Sequence, residues 1–340
     1  MNRMPMRMLA VDVDGTLLGP DGVVSARNVA ALKAAEAAGV EVVVATGRRH
    51  CYAMRVLRGL ELGEENAVIS SNGTVVRTIG ARLIERTLLP KETARWLCGH
   101  VEEFRNALVM TFDKVGPEGD DARGALVVEQ LDELTASIGK WMKANEPYIA
   151  HVVPIEKALE ADDPIQMMLC GTIARMRRAE ARLLEHPGIS AVGATPLRQD
   201  EVRRLESAGV TAGGISPQER AHGADAALHR TEYAERDLSI VDILPAGCSK
   251  GAALLRLAEQ RGVKAEEIVA IGDNWNDVSM LEVAGRAVLM ANAPEDLKMV
   301  AAERVWMLGK RHDEDGVAIV VEAELVERVL ESTYPIVGVL

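Results

Sequence analysis

Short apolar runs punctuate both ends of the chain, and each breaks off into polar, turn-forming residues. Residues 8–13 (MLAVDV) read as a buried parallel strand. Ser25 is placed to cap a helix running to Ala38, with Val29, Leu32, Ala35 and Glu36 at helical spacing and Gly39 closing it. Residues 40–45 (VEVVVA) form a second strand that ends at Thr46-Gly47. Residues 67–70 form a third, running into the turn signal Ser71-Asn72-Gly73. The final third resumes the rhythm. Ser249 caps a helix over 250–261, a strand over 267–271 ends at Gly272-Asp273, and 276–284 reads as a short helix. Residues 287–290 form another strand, and Pro294 opens a helix at its first position. Strand and helix in alternation predict a parallel α/β sheet.

The middle of the chain has a different texture. Residues 107–112, 125–128, 165–170 and 189–192 read as strands, with helical stretches between them, notably 173–184. Residues 113–124 (DKVGPEGDDARG) read as a polar turn. Since both flanks share one pattern, 87–241 is expected to be a domain inserted into a core made of 1–86 and 242–340. Residues 195–237, rich in Arg, Glu and His and interrupted by glycines, are expected to be a solvated surface excursion.

Composition narrows the classes. The 340 residues are 48% hydrophobic and 26% charged, enough for ample core in a folded globular protein. A net charge of −12 argues against a nucleic-acid or membrane-surface partner, but not against a phosphorylated small molecule, because a local cation inverts the field of a site. The four cysteines are scattered without metal-like spacing and read as buried or free thiols of a reducing compartment. No signal-like or membrane-spanning run stands out, so a cytoplasmic location is expected. The oligomeric state is not legible.

The candidate chemistry sits at the strand ends. In an open parallel sheet, ligands bind beyond the carboxyl ends of the strands. Asp12 and Asp14 follow the first strand, Thr46 and Gly47 the second, Asn72 the third, and Asp273, Asn276 and Asp277 the 267–271 strand. Crowded carboxylates raise one another's pKa unless a cation neutralises them. Oxygen-only ligands point to a hard ion, and Mg²⁺ is the usual one beside phosphate. A calcium loop counted from Asp12 fails, since Leu17 and Val23 stand where glycine and glutamate are needed.

In this order, DVDGTL (12–17), ATGR (45–48), SNG (71–73), CSKG (248–251) and GDNWND (272–277) resemble the motifs of the haloacid dehalogenase superfamily. The insert between SNG and SKG is similar in position and size to the large C2 cap of the Cof-type phosphatases. MANAPEDLK (290–298) and DGVA (315–318) extend the resemblance. It implies a Rossmann-like core with an α+β cap. It implies Asp12 as the nucleophile that carries the phosphoryl group and Asp14 as the acid that protonates the leaving alcohol and then the base for water. It also implies Mg²⁺ held by Asp12, the carbonyl of Asp14 and Asp273, with Asp277 supporting them. Thr46 and Gly47 are expected to hold phosphate oxygens and Lys250 to offset the charge. Asn276, Arg48 and Asn72 are further candidates for phosphate or substrate, each with an alternative as a packing, pairing or turn residue. Asn292 lies near the same rim. Arg123, Arg198, Arg203 and Arg204 are candidates for an anionic substrate. The implied activity is hydrolysis of small phosphomonoesters, sugar or polyol phosphates. The alternatives are a phosphomutase and a non-catalytic phospho-ligand sensor, against which the intact Asp12/Asp14 pair weighs.

Overall fold

A computed structural model describes residues 4–116, 119–130, 132–191 and 225–333. Five strands come first: β1 (Met8–Val11), β2 (Glu41–Ala45), β3 (Ala67–Ser70), β4 (Val75–Thr78) and β5 (Leu83–Arg86). The middle block holds β6 (Leu108–Thr111), β7 (Leu126–Val128), β8 (Ile149–His151), β9 (Gln166–Gly171), β10 (Ile189–Ala191), β11 (Ala226–Tyr233) and β12 (Leu238–Pro245). The last part holds β13 (Ile268–Gly272), β14 (Arg286–Leu289) and β15 (Met307–Leu308).

The flanking segments build one eight-stranded sheet in the order β15-β14-β13-β1-β2-β3-β4-β5. It is parallel from β15 to β3, and β4 and β5 add an antiparallel edge. Both faces are covered, which is why these strands read as continuous apolar runs. On β1, Leu9 and Val11 join one core cluster while Met8 and Ala10 join the cluster on the opposite face. From β1 the chain builds outward through β2 and β3. It returns to add β13 and β14 on the other side, so the strand order reverses between β1 and β13. Such a reversal opens a crevice at the carboxyl ends.

The middle strands form a separate mixed sheet, β10-β11-β12-β9-β6-β7-β8. The chain divides into two compact units, one of residues 1–87, 115–121 and 248–340, the other of 88–114 and 122–247. The second unit ends later than position 241 because β12 runs to Pro245.

Several expectations need correction. Among the described residues the middle sheet has seven strands, where the sequence reading names four. Residues 226–233, expected in a solvated excursion, are β11, with Ala226 to His229 buried. Residues 195–224 lie outside the described residues. The 276–284 helix begins as a tight turn at Trp275–Asp277, where Asn274 and Asp277 cap each other, and continues as Val278–Val283. Pro294 occupies the cap position before the helix Glu295–Glu303 rather than its first turn. All four cysteines are buried and outside any disulfide. No described helix is long and apolar enough to cross a membrane.

Candidate active site

The site grows from the ends of β1 and β13. The backbone N–H of Asp12 donates to Ile271 O at 3.0 Å, which sets the first carboxylate beside the β13 end that carries Asp273. Gly15 then turns the chain with φ +85°, and a Cβ there would lie 2.3 Å from Asp273 Oδ2. Only glycine allows the β1 turn to come this close to Asp273. Gly73 (φ +100°) plays the matching part in SNG, where a Cβ would meet Ser249 O at 2.2 Å, so the SNG turn packs directly on the SKG segment.

Lys250 enters at the start of the helix Lys250–Arg261, capped by Ser249, whose hydroxyl accepts from Ala252 N at 2.9 Å. Its ammonium is fully buried and donates to Asp12 Oδ1 and Asp277 Oδ1, both at 2.6 Å. Burial works against the charge on Lys250, but the two carboxylates outweigh it and hold its pKa above the ordinary value. The other oxygen of Asp277 accepts the backbone N–H groups of Asp273 (2.9 Å) and Asn274 (3.0 Å), which shapes the GDNWND loop. Among the described residues, none hydrogen-bonds Asp12 Oδ2.

Carboxylate oxygens of Asp12, Asp273 and Asp277 lie within 4.8 Å of one another. Burial, then the charge of Asp277, push Asp12 up to about 7, despite the opposing pull of Lys250. Burial, then the charges of Asp12 and Asp277, raise Asp273 well above the usual carboxylate range. One ammonium therefore leaves this cluster short of positive charge. The donors are all hard oxygen atoms, so the residues present fit a small divalent cation such as Mg²⁺.

Asp273 is further held by two residues that the motif reading did not assign. Thr16 Oγ1 donates to its Oδ1 at 3.1 Å. Asn292, placed only near the rim by the sequence, donates to its Oδ2 at 3.3 Å and to Gly15 O at 2.8 Å, and accepts from His312 N at 3.0 Å. Thr16 was visible inside DVDGT, but nothing local marks a partner 257 positions away.

The other candidates line the adjoining strand ends. Thr46 is buried, and its hydroxyl oxygen accepts from Arg48 N at 3.1 Å, so its own proton remains available to donate. Asn72 is buried in the left-handed region (φ 53°), and its Oδ1 accepts from Asn276 Nδ2 at 3.2 Å. Gly47 faces this same amide, the side chain of Asn72 lying 3.2 Å from where a Cβ would sit. The carboxylate of Asp14 faces Arg48 instead of the cluster, accepting from Nε at 2.7 Å and Nη2 at 2.5 Å. Of its alternatives, Arg48 thus takes the pairing one here. Trp275 packs against the apolar cluster on one face of the core sheet. Arg123 is exposed in the second unit, while Arg198, Arg203 and Arg204 lie outside the described residues.

Comparison with known proteins identifies the family. The haloacid dehalogenase-like hydrolase family matches residues 9–195 and 220–321. A 5-amino-6-(5-phospho-D-ribitylamino)uracil phosphatase, YwtE of Bacillus subtilis, is 29% identical over 330 residues, covering 93% of this chain and 97% of that protein. The phosphatase YwpJ of the same organism is 30% identical, covering 92% and 98%. The solved structure of a haloacid dehalogenase-like hydrolase from B. subtilis superposes with a TM-score of 0.65 at 27% identity, covering 93% of this chain and 99% of that one. A switch-point carboxylate cluster, a buried lysine between two of its members and these full-length similarities lead to one assignment: the chain belongs to the haloacid dehalogenase-like hydrolases, of the Cof type.

Proposed function

We propose that this chain is a Mg²⁺-dependent phosphatase that hydrolyses small phosphomonoesters, sugar or polyol phosphates, by way of a phosphoryl group carried on Asp12. The observation that carries this reading is the asymmetry of Asp12: Lys250 holds Oδ1, and no described residue hydrogen-bonds Oδ2. A nucleophile needs that arrangement, with one oxygen fixed and one left to attack. The phosphoribityl compound for which the YwtE relative is named supports a polyol phosphate.

Mg²⁺ would be held by Asp12, the backbone carbonyl of Asp14 and Asp273, with Asp277, Thr16 and Asn292 orienting Asp273 and its loop. When bound, it supplies positive charge against the phosphate and carboxylate oxygens. The chain does the rest. Asp12 attacks phosphorus while Asp14 protonates the leaving alcohol. Asp14 then takes a proton from the water that frees the phosphate. The Thr46 hydroxyl and Gly47 N–H donate to phosphate oxygens, and Lys250, at a helix N-terminus, offsets the negative charge of the Asp12 carboxylate and the phosphate together. Asn276 and Asn72, joined by a hydrogen bond, orient an oxygen of the substrate.

The test is release of inorganic phosphate from a panel of phosphorylated metabolites, with and without Mg²⁺ and with no added bisphosphate. Mg²⁺-dependent release that Asp12→Asn abolishes is expected. Release only when a bisphosphate is added would favour the mutase alternative, and binding without turnover would favour a sensor.

A further inference from the structure

Asp14 differs from the other acidic residues of the site in being open to solvent: its side chain is 40% exposed, against 6% for Asp12 and 0% for Asp277. A short carboxylate at an open position samples several rotamers unless something holds it. Here both of its oxygens accept from one guanidinium, Arg48 Nε to Oδ2 and Nη2 to Oδ1. Arg48 is in turn fixed along its length. Its N–H donates to Thr46 Oγ1 at 3.1 Å, and its carbonyl accepts from Ser71 N at 2.8 Å. Its guanidinium carbon lies 5.1 Å from the centroid of the Tyr52 ring, and Arg55 packs on that ring at the same distance. A planar fork backed by an aromatic face holds a carboxylate in one orientation, which a lysine cannot reproduce.

We infer that Arg48 is the positioning residue for Asp14, with Tyr52 behind it. The inference rests on the proposed role of Asp14 as proton donor. In the first step the bond between phosphorus and the alcohol oxygen breaks and a bond from phosphorus to an Asp12 oxygen forms. The alcohol oxygen takes the proton carried by Asp14. The competing role, direct binding of the substrate's phosphate by Arg48, predicts a different dependence on the leaving group.

The experiment compares kcat/KM for glycerol phosphate, whose alkoxide needs a proton, and for p-nitrophenyl phosphate, whose phenolate leaves without one. Because kcat/KM runs only as far as alcohol release, hydrolysis of the phosphorylated enzyme does not enter. Arg48→Ala should lose about 100-fold on glycerol phosphate, the scale of a misplaced catalytic group. On p-nitrophenyl phosphate it should lose less than about five-fold, the scale of an exposed ion pair. Arg48→Lys should resemble Arg48→Ala, and Tyr52→Ala should show a smaller loss with the same substrate preference. Asp14→Asn/Arg48→Ala should be no slower than Asp14→Asn alone. Equal losses on both substrates for Arg48→Ala, or losses that multiply in the double variant, overturn the inference. Equal losses for Asp14→Asn itself overturn the proton-donor role of Asp14 instead, which separates the two failures.

Discussion

Asp12, Lys250 and Asp277 form a buried chain of charge in which each member has a distinct task. Lys250 is the member whose removal leaves the most uncompensated, since two buried carboxylates would lose their shared partner. Lys250→Met should lower stability by about 3–5 kcal/mol, the cost of breaking a buried ion pair from one side, as read from urea unfolding, and should abolish phosphatase turnover. A stability loss within the scatter of surface variants would contradict the buried-pair geometry. On the proposed mechanism Asp12→Asn removes the attacking oxygen while keeping the shape, so turnover should vanish with the circular-dichroism spectrum of the folded protein retained. The carboxylates and the lysine were legible in the sequence because each lies in a short motif at a strand end or helix start. The grip of Arg48 on Asp14 was legible only as one of several options, and the support of Asp273 by Thr16 and Asn292 was not. Those contacts join chain segments far apart, and no local spacing encodes them.

The strands and turns that deliver these residues explain why glycine recurs among them. At Gly15 the turn after β1 both adopts a positive φ and passes against Asp273. Gly15→Ala should push Asp273 away and raise the Mg²⁺ concentration for half-maximal activity by about 10- to 100-fold, as when residues supporting a metal site are disturbed. Mg²⁺ titration of activity checks this, and an unchanged midpoint would mean that the close approach has no bearing on metal binding. The helix 250–261 could be read with its bounds because the capping hydroxyl of Ser249 was visible, and the helix 173–184 is likewise capped, by Thr172. The strand β11 could not. Its sequence AALHRTEY looks solvated, but Arg230 pairs with Glu180 and Glu232 with Arg177 on the helix Ile173–Leu184, while His229 and Thr231 are buried. Charge composition reports solvation only when the charges lack partners within the fold. The short hairpin strands β4 and β5 escaped because charged residues break them, VVRT and LIER, so neither reads as an apolar run.

At the scale of the molecule, function is held at some cost in stability. With a net charge of −12, the chain also concentrates three carboxylates within 4.8 Å around one ammonium. Asp12, at about 7 against an ordinary 3.8, and Asp273 bind protons more tightly folded than unfolded. The contribution of Asp12 to stability is therefore complete below about pH 4 and lost as the pH rises through about 7, and that of Asp273 is likewise lost as the pH rises. In EDTA, this cluster should lower the melting temperature between about pH 5 and about pH 8. Mg²⁺ should restore it most at the upper end, where protons no longer compete. Asp273→Asn should flatten the decline and remove most of the Mg²⁺ increment, as followed by thermal melts. An equal Mg²⁺ increment in wild type and variant would contradict the metal assignment. The measurement that bears hardest on the whole chemistry is the intact and peptide mass of protein acid-quenched during turnover with Mg²⁺ and a phosphomonoester. A gain of one phosphoryl group on the peptide containing Asp12, absent in Asp12→Asn, is the expected result. Sustained phosphate release with no such adduct under any quench time, or an adduct on another residue, would contradict it.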